Sequence, residues 1–251
     1  MKNKLINFDR IWKTYPGQIG AASHTALKEV SFSLARGETL GLIGANGAGK
    51  TTCICLIMGF IRQDKGQIRL MEELPANHTI RTRIGYLPET PSFPSNLTLL
   101  DMLRFTGTTC HLSKGILKQV SGKWLKLLGL WEAQKRPLRT FSKGMQQRAN
   151  FAIALINDPE LLILDEPMSG LDPIGRAEII NLIQDLKKQG KSILFCSHIL
   201  EDVDMLVDNV LILHGGKNLF FGRLSELCEQ EKSSSLVDAY LSIIQREGTY
   251  V

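Results

Sequence analysis

The sequence lacks any apolar run near the ~20 residues that a membrane-crossing helix requires. A stretch such as Ile54 to Ile61 is far too short, and Gly59 interrupts it. Met1-Lys2-Asn3-Lys4 leads into a strand-like segment with no signal-peptide core after it. These absences predict a soluble chain that stays in the cytoplasm. Cysteine is scarce. Cys53, Cys55, Cys110, Cys196 and Cys228 are odd in number and fit no metal-ligand spacing, so a structural or incidental role is expected for all five. There is no internal repeat, no heptad array and no low-complexity tract. Of the 251 residues, 43% are hydrophobic and 22% charged. That balance excludes wholesale disorder and permits a sizeable core in one or two domains.

Acid is missing from one region. Between Lys114 and Arg148 there are nine basic residues (Lys114, Lys118, Lys123, Lys126, Lys135, Arg136, Arg139, Lys143, Arg148) against Glu132 alone. That segment carries +8 of an overall +5, leaving the remainder at −3. A solvated helical face explains this, and so does a surface that meets anions. No recognition motif for nucleic acid accompanies the charge, and no nucleic-acid partner is expected.

Strand and helix signals alternate. Leu5 to Tyr15 and Leu27 to Leu34 read as strands; in the second, Val30, Phe32 and Leu34 alternate with Glu29, Ser31 and Ser33. Pro16 to Thr25 reads as a loop. Thr39 to Ile43 is a continuous apolar strand, and Lys50 to Gly59 should be helix. Arg83 to Leu87 is a short strand stopped by Pro88. Leu161 to Leu164, Ser192 to Cys196 and Val210 to Leu213 are further strands. A helix should start at Pro173, with Ile179, Leu182, Ile183 and Leu186 on one face and Gly190 as its stop. The tail pieces Ser225–Glu231 and Ser235–Ile244 have helical character. Strands and helices on either side of a helical stretch predict an α/β core with a helical subdomain inserted at about residues 89–158. The core is then 1–88 and 159–224, and the tail 225–251.

Gly44-Ala45-Asn46-Gly47-Ala48-Gly49-Lys50-Thr51 matches the phosphate-binding pattern G-x-x-x-x-G-K-[ST]. Glycines let backbone N–H groups turn inward around phosphate, and the following helix presents its positive end. Lys50 can reach the outer phosphates of a nucleotide. The Thr51 hydroxyl can bind Mg²⁺, and Thr52 adds a further candidate contact. The strand before and the helix after supply the required context. The loop alone does not say which nucleotide is used or for what.

Asp165 and Glu166 close the buried strand Leu161 to Leu164. Two acids at such a strand end are costly unless they meet a cation or polarise water. Asp165 suits Mg²⁺, and Glu166 suits an attacking water. His198 follows the strand Ser192 to Cys196 and is placed to donate to a phosphate that gains charge in a transition state.

Phe141-Ser142-Lys143-Gly144-Met145-Gln146-Gln147-Arg148 precedes a helix shortly before the acidic strand. In order with the phosphate loop, it resembles the signature motif of ATP-binding cassette (ABC) transporter ATPases, usually Leu-Ser-Gly-Gly-Gln. The variant Phe/Tyr-Ser-Lys-Gly-Met resembles that of exporters of drugs, antibiotics, lipids or polysaccharides. The resemblance runs from about Leu5 to Gly222. It implies an α/β P-loop NTPase core with a mostly parallel sheet, an N-terminal antiparallel β subdomain and an inserted α-helical subdomain. It also implies that ATP and Mg²⁺ are bound. Ser169-Gly170-Leu171-Asp172 resembles the family's loop facing an opposing subunit; it also reads as a turn and helix cap before Pro173, and the two roles are compatible. Tyr15 resembles the aromatic that stacks on adenine. Glu89 stands where the family commonly has a Gln near Mg²⁺. By resemblance, two cassettes meet head to tail, and Ser142 and Gly144 of one close over ATP held at Lys50 of the other. The implied partners are a second copy or a homologous ATPase subunit, and separate transmembrane permease chains. The implied location is the cytoplasmic side of the cell membrane. The alternatives are a soluble cassette ATPase remodelling ribosomes or DNA, and a phosphotransferase using the same loop.

Overall fold

The computed structural model describes residues 4–17, 22–94 and 96–246. In chain order the elements begin with β1 (Lys4–Tyr15), β2 (His24–Ala35), β3 (Thr39–Ile43), α1 (Lys50–Ile57) and β4 (Lys65–Leu70). They continue with β5 (Ile84–Leu87), α2 (Leu99–Thr109), α3 (Lys114–Leu127), α4 (Lys143–Ala154), β6 (Leu161–Asp165) and α5 (Pro173–Lys188). The last are β7 (Ser192–Cys196), α6 (Leu200–Leu206), β8 (Asn209–His214), β9 (Lys217–Arg223), α7 (Leu224–Glu231) and α8 (Leu236–Arg246). They group into two compact units: Met1–Ile80 with Lys187–Val251, and Arg81–Leu186.

The first unit contains two sheets. Antiparallel strands in the order β2-β1-β4 form the first, with Phe8 stacked on Phe32 at 4.4 Å. In the second, β3 lies between β7 and β8, parallel to both, and β9 runs antiparallel along β8. Every residue of β3 and β7 is buried, which is why their sequences read as unbroken apolar runs and not as alternation. The tail folds back as α7 and α8. Leu236, Ala239, Ile243 and Ile244 are buried, and Glu231 accepts from Ser242 and pairs with Arg246.

In the second unit β5 and β6 pair in parallel, with Leu87 opposite Leu164. The helices α2 to α4 and most of α5 belong to this unit. Arg83 grips Glu160 with two hydrogen bonds of 2.6 and 3.0 Å, fixing the entry to both strands. Thr98 and Asp101 form a reciprocal cap on α2, and Ser113 caps α3.

Several sequence boundaries shift. The strand expected from Arg83 begins at Ile84, because Arg83 closes a short 3₁₀ turn. The helix expected to reach Gly59 ends at Ile57, and Gly59 is left-handed with φ 67°. An added Cβ there would lie 2.7 Å from the Pro75 carbonyl oxygen. The loop expected over Pro16 to Thr25 ends earlier, since β2 starts at His24; residues 18–21 of it lie outside the described residues. Of the face expected on α5, Ile179, Ile183 and Leu186 are buried, while Leu182 at its margin is only half-buried. The basic segment is partly engaged with aromatics, Lys123 over Trp124 and Lys126 over Trp131, while Arg148 pairs with Glu178 at 3.1 Å.

Candidate active site

In the first unit the phosphate-loop residues leave the carboxyl end of β3 and turn directly into α1. The loop geometry demands glycine at two places. Gly44 has φ 155°, and a Cβ on it would sit 2.3 Å from the Leu213 carbonyl oxygen. Gly49 has φ 111°, and its Cβ would meet Leu27 and the Ala26 carbonyl at 2.6 and 2.8 Å. Gly47 has φ 79° with open space beside it, leaving its backbone accessible from outside. Gly49 is the N-cap of α1, and no side chain caps that helix end. The amides of the first turn therefore form an uncapped positive terminus.

Lys50 curls back over the loop. Its Nζ donates to the carbonyl oxygens of Gly44 at 2.6 Å and Ala45 at 3.1 Å. Asn46 is exposed, Ala48 is buried, and Thr51 is exposed in the first turn of α1. Thr52 is buried, and its hydroxyl lies 3.4 Å from that of Tyr15. That contact brings the expected adenine-stacking ring beside the start of α1, with Lys13 Nζ 5.8 Å from its centroid. His198 is exposed beyond the carboxyl end of β7. Because β7 and β3 are neighbouring parallel strands, with Cys196 opposite Leu42, His198 and the phosphate loop emerge along one sheet edge.

In the second unit β5 and β6 also end together. Pro88-Glu89 follows one strand, and Asp165-Glu166 completes the other. Asp165 and Glu166 are buried, whereas Glu89 is exposed. Glu166 has φ 49°, a left-handed conformation uncommon for a side chain of this size and one that clusters at functional sites. Ser142 is the N-cap of α4, its hydroxyl accepting from Met145 N–H at 3.2 Å. Gly144 lies in the first turn. Its Cβ would meet only Leu171 at 3.7 Å and Gly170 O at 4.0 Å, so packing does not require glycine there. Within Ser169–Asp172, Gly170 has φ 76°, Lys143 lies across it, and Asp172 accepts from Gly175 N–H at 2.8 Å. The turn-and-cap role of that segment is therefore present.

Sequence reasoning missed two residues. Gln147 and Asn150 are buried on α4. Gln147 Nε2 donates to Pro167 O at 2.8 Å, just after Glu166. Asn150 Nδ2 donates to Pro88 O at 3.1 Å, just before Glu89. Two amides pin the helix headed by Ser142 to both acid-bearing loops. The available signal was an amide pair three residues apart beside Ala149, Phe151 and Ala152, since amides among apolar residues need partners. Burial pushes the Cys53 thiol far above its ordinary range, as expected for an inert packing residue.

The ABC transporter family profile matches residues 27–169. An uncharacterized ABC transporter ATP-binding protein of Synechocystis is 42% identical over 84% of this chain and 60% of its own length. The chain thus spans about three-fifths of that relative. The linearmycin resistance ATP-binding protein LnrL of Bacillus subtilis is 34% identical over 87% of this chain and 71% of its own. A solved ATP-binding subunit of an ABC transporter superimposes with a TM-score of 0.88, at 31% identity, over 96% of this chain and 99% of that one. With the phosphate loop, the acidic strand end and the Ser142 helix all in place, the chain belongs to the family of ABC transporter ATP-binding proteins.

Proposed function

We propose that this chain binds and hydrolyses ATP to power an exporter whose membrane-spanning segments lie on separate chains. The observation that carries the reading is the phosphate loop: three left-handed glycines between a buried parallel strand and an uncapped helix, with Lys50 folded onto its carbonyls. No helix among the described residues is long and apolar enough to cross a membrane; in this reading the chain docks on its membrane-spanning partners from the cytoplasmic side. Export is favoured by Phe141-Ser142-Lys143-Gly144-Met145 and by the likeness to a linearmycin resistance protein. The nucleotide-binding core is assigned to 1–88 and 159–224, the inserted helical subdomain to 89–158 and the tail to 225–251.

In this reading the loop amides and the α1 terminus hold the phosphates, and Lys50 exchanges its two carbonyls for β/γ-phosphate oxygens. Tyr15 stacks on adenine. Thr51 and Asp165 carry the hard oxygen donors that would hold Mg²⁺. When bound, Mg²⁺ neutralises charge that builds on the phosphates. Glu166 orients and deprotonates the attacking water, and His198 donates to the γ-phosphate. A second copy, or a homologous subunit, presents Ser142 and Gly144 to the same phosphate. The free space at Gly144 supports that approach, because a side chain there would stand between helix and anion.

The test is assembly. Without nucleotide the chain should sediment mainly as a monomer. Glu166→Gln with ATP should sediment as a dimer, because slow hydrolysis traps the closed pair, and adding Ser142→Arg should abolish it. Equal mass with and without ATP in Glu166→Gln would refute the ATP-clamped pair.

Glu89 carries a second expectation. A carboxylate is a stronger Mg²⁺ ligand than an amide, and without metal it repels the γ-phosphate. Glu89→Gln should therefore weaken the Mg²⁺ dependence of hydrolysis while leaving metal-free ATP binding equal or tighter. Superimposable Mg²⁺ titrations and equal metal-free affinity would make Glu89 an ordinary solvated loop acid.

A further inference from the structure

A groove of about 540 Å³ runs along α2 and α3 within the second unit. That volume lies within the range of small-molecule sites. On α3, Lys114, Lys118, Ser121 and Leu125 follow the i, i+4, i+7, i+11 spacing and share one face. They span about 16 Å at the helical rise per residue. Leu100, Arg104 and Thr108 of α2 line the opposite wall. The helices close the floor at Gly107, where a Cβ would lie 2.4 Å from Leu117. Trp131 lines the groove as well, 42% exposed.

The groove has two chemically different ends. Leu100, Leu125 and the Trp131 ring give one end its apolar surface, beside the Gln134 amide and with Lys126 5.1 Å from the ring centroid. The α3 end is cationic: its first turn contains no acid, its terminus is the positive end of the dipole, and Lys114 has no acidic partner among the described residues. Among the described residues Lys118 likewise has none, and Arg104 has only Asp101 at 3.9 Å. Between the ends sits an unmet need. Ser121 is 4% exposed, lines the groove, and its hydroxyl has no hydrogen-bond partner among the described residues. A buried hydroxyl without a partner costs about 1–3 kcal/mol.

We propose that this groove is a binding site for a single-chain anionic amphiphile, a carboxylate-headed acyl chain. The carboxylate lies against Lys114 and Lys118, the chain runs toward Trp131 and Leu125, and Ser121 turns to donate where head and chain meet. The site is separate from the phosphate loop and does not depend on the ATPase reading. A nucleotide or simple anion would leave Leu100, Leu117, Leu125 and Trp131 without an apolar partner.

Dodecanoate is the probe, titrated into the full chain below its micelle concentration and followed by Trp fluorescence and calorimetry. Saturable one-to-one binding is expected, weakened at least ~10-fold in Lys114→Glu/Lys118→Glu. Dodecyltrimethylammonium should bind at least ~10-fold more weakly than dodecanoate. Gly122→Leu should block the site without harming the fold, since a Cβ at Gly122 meets only the Trp131 ring at 3.8 Å and leucine favours a helix over glycine. Phosphatidylglycerol vesicles form a second arm: binding to vesicles but not to soluble dodecanoate would assign the face to a bilayer and overturn the proposal. Unchanged dodecanoate affinity in Gly122→Leu would overturn it too. So would self-association that Gly122→Leu abolishes and dodecanoate leaves untouched, which would give the groove to a second copy.

Discussion

Lys50→Ala is expected to abolish ATP hydrolysis, and Glu166→Gln to slow it at least ~100-fold while ATP stays bound. The two losses differ in kind. Lys50 is the cation assigned to the phosphates in the proposed mechanism, and its Nζ satisfies two loop carbonyls at 2.6 and 3.1 Å. Removing it would delete the charge proposed to offset the β/γ-phosphates, so binding and turnover should fall together. Glu166 is a buried acid in a left-handed backbone position at the end of a fully buried strand. The amide keeps its shape but cannot take a proton from water, so turnover alone should fall. Nucleotide affinity measured by a fluorescent ATP analogue, alongside phosphate release, separates them. Parental hydrolysis in Glu166→Gln would move the general base to another residue.

Phe151→Ala should destabilise the chain by about 3–5 kcal/mol, whereas Ser142→Ala should cost about 1 kcal/mol. Both residues belong to α4. Phe151 is among the largest fully buried side chains, so truncation leaves a cavity as well as losing transfer energy. Ser142 loses only an exposed cap to Met145 N–H. Urea unfolding measures both. The comparison matters for the site because α4 carries Ser142 at one end and, through Gln147 and Asn150, holds the loops of Glu166 and Glu89. Phe151→Ala should therefore lower hydrolysis through misplacement of those loops. Ser142→Ala should leave the unassembled chain nearly as stable as the parent. A cap cost larger than the core cost would show that α4 is held by its terminus and not by its packing.

Much of the framework was legible before any coordinates. β3, β6 and β7 announced themselves as continuous apolar runs because each is buried along its whole length. The phosphate loop was legible because its chemistry fixes residue types at fixed offsets. The tail pieces Ser225–Glu231 and Ser235–Ile244, read as helical, coincide with α7 and α8 to within two residues at each end. β4 and β9 were not legible. β4 is an edge strand with two buried residues, Ile68 and Leu70, and β9 is an edge strand with none, so neither carries the apolar signature of a core strand.

The sequence by itself determined the local chemistry of this protein: a glycine-rich loop ahead of a helix, two acids closing an apolar strand, and a serine heading the helix before that strand. Each depends only on residues adjacent in the chain. Tertiary structure alone decided what those pieces touch. The Leu213 carbonyl beside Gly44, the grip of Gln147 and Asn150 on Pro167 and Pro88, and the unmet hydroxyl of Ser121 all join residues far apart in the chain or depend on what packs around them. Such contacts leave no periodic trace, because burial and hydrogen-bond partners are properties of neighbours in space and not of neighbours in sequence.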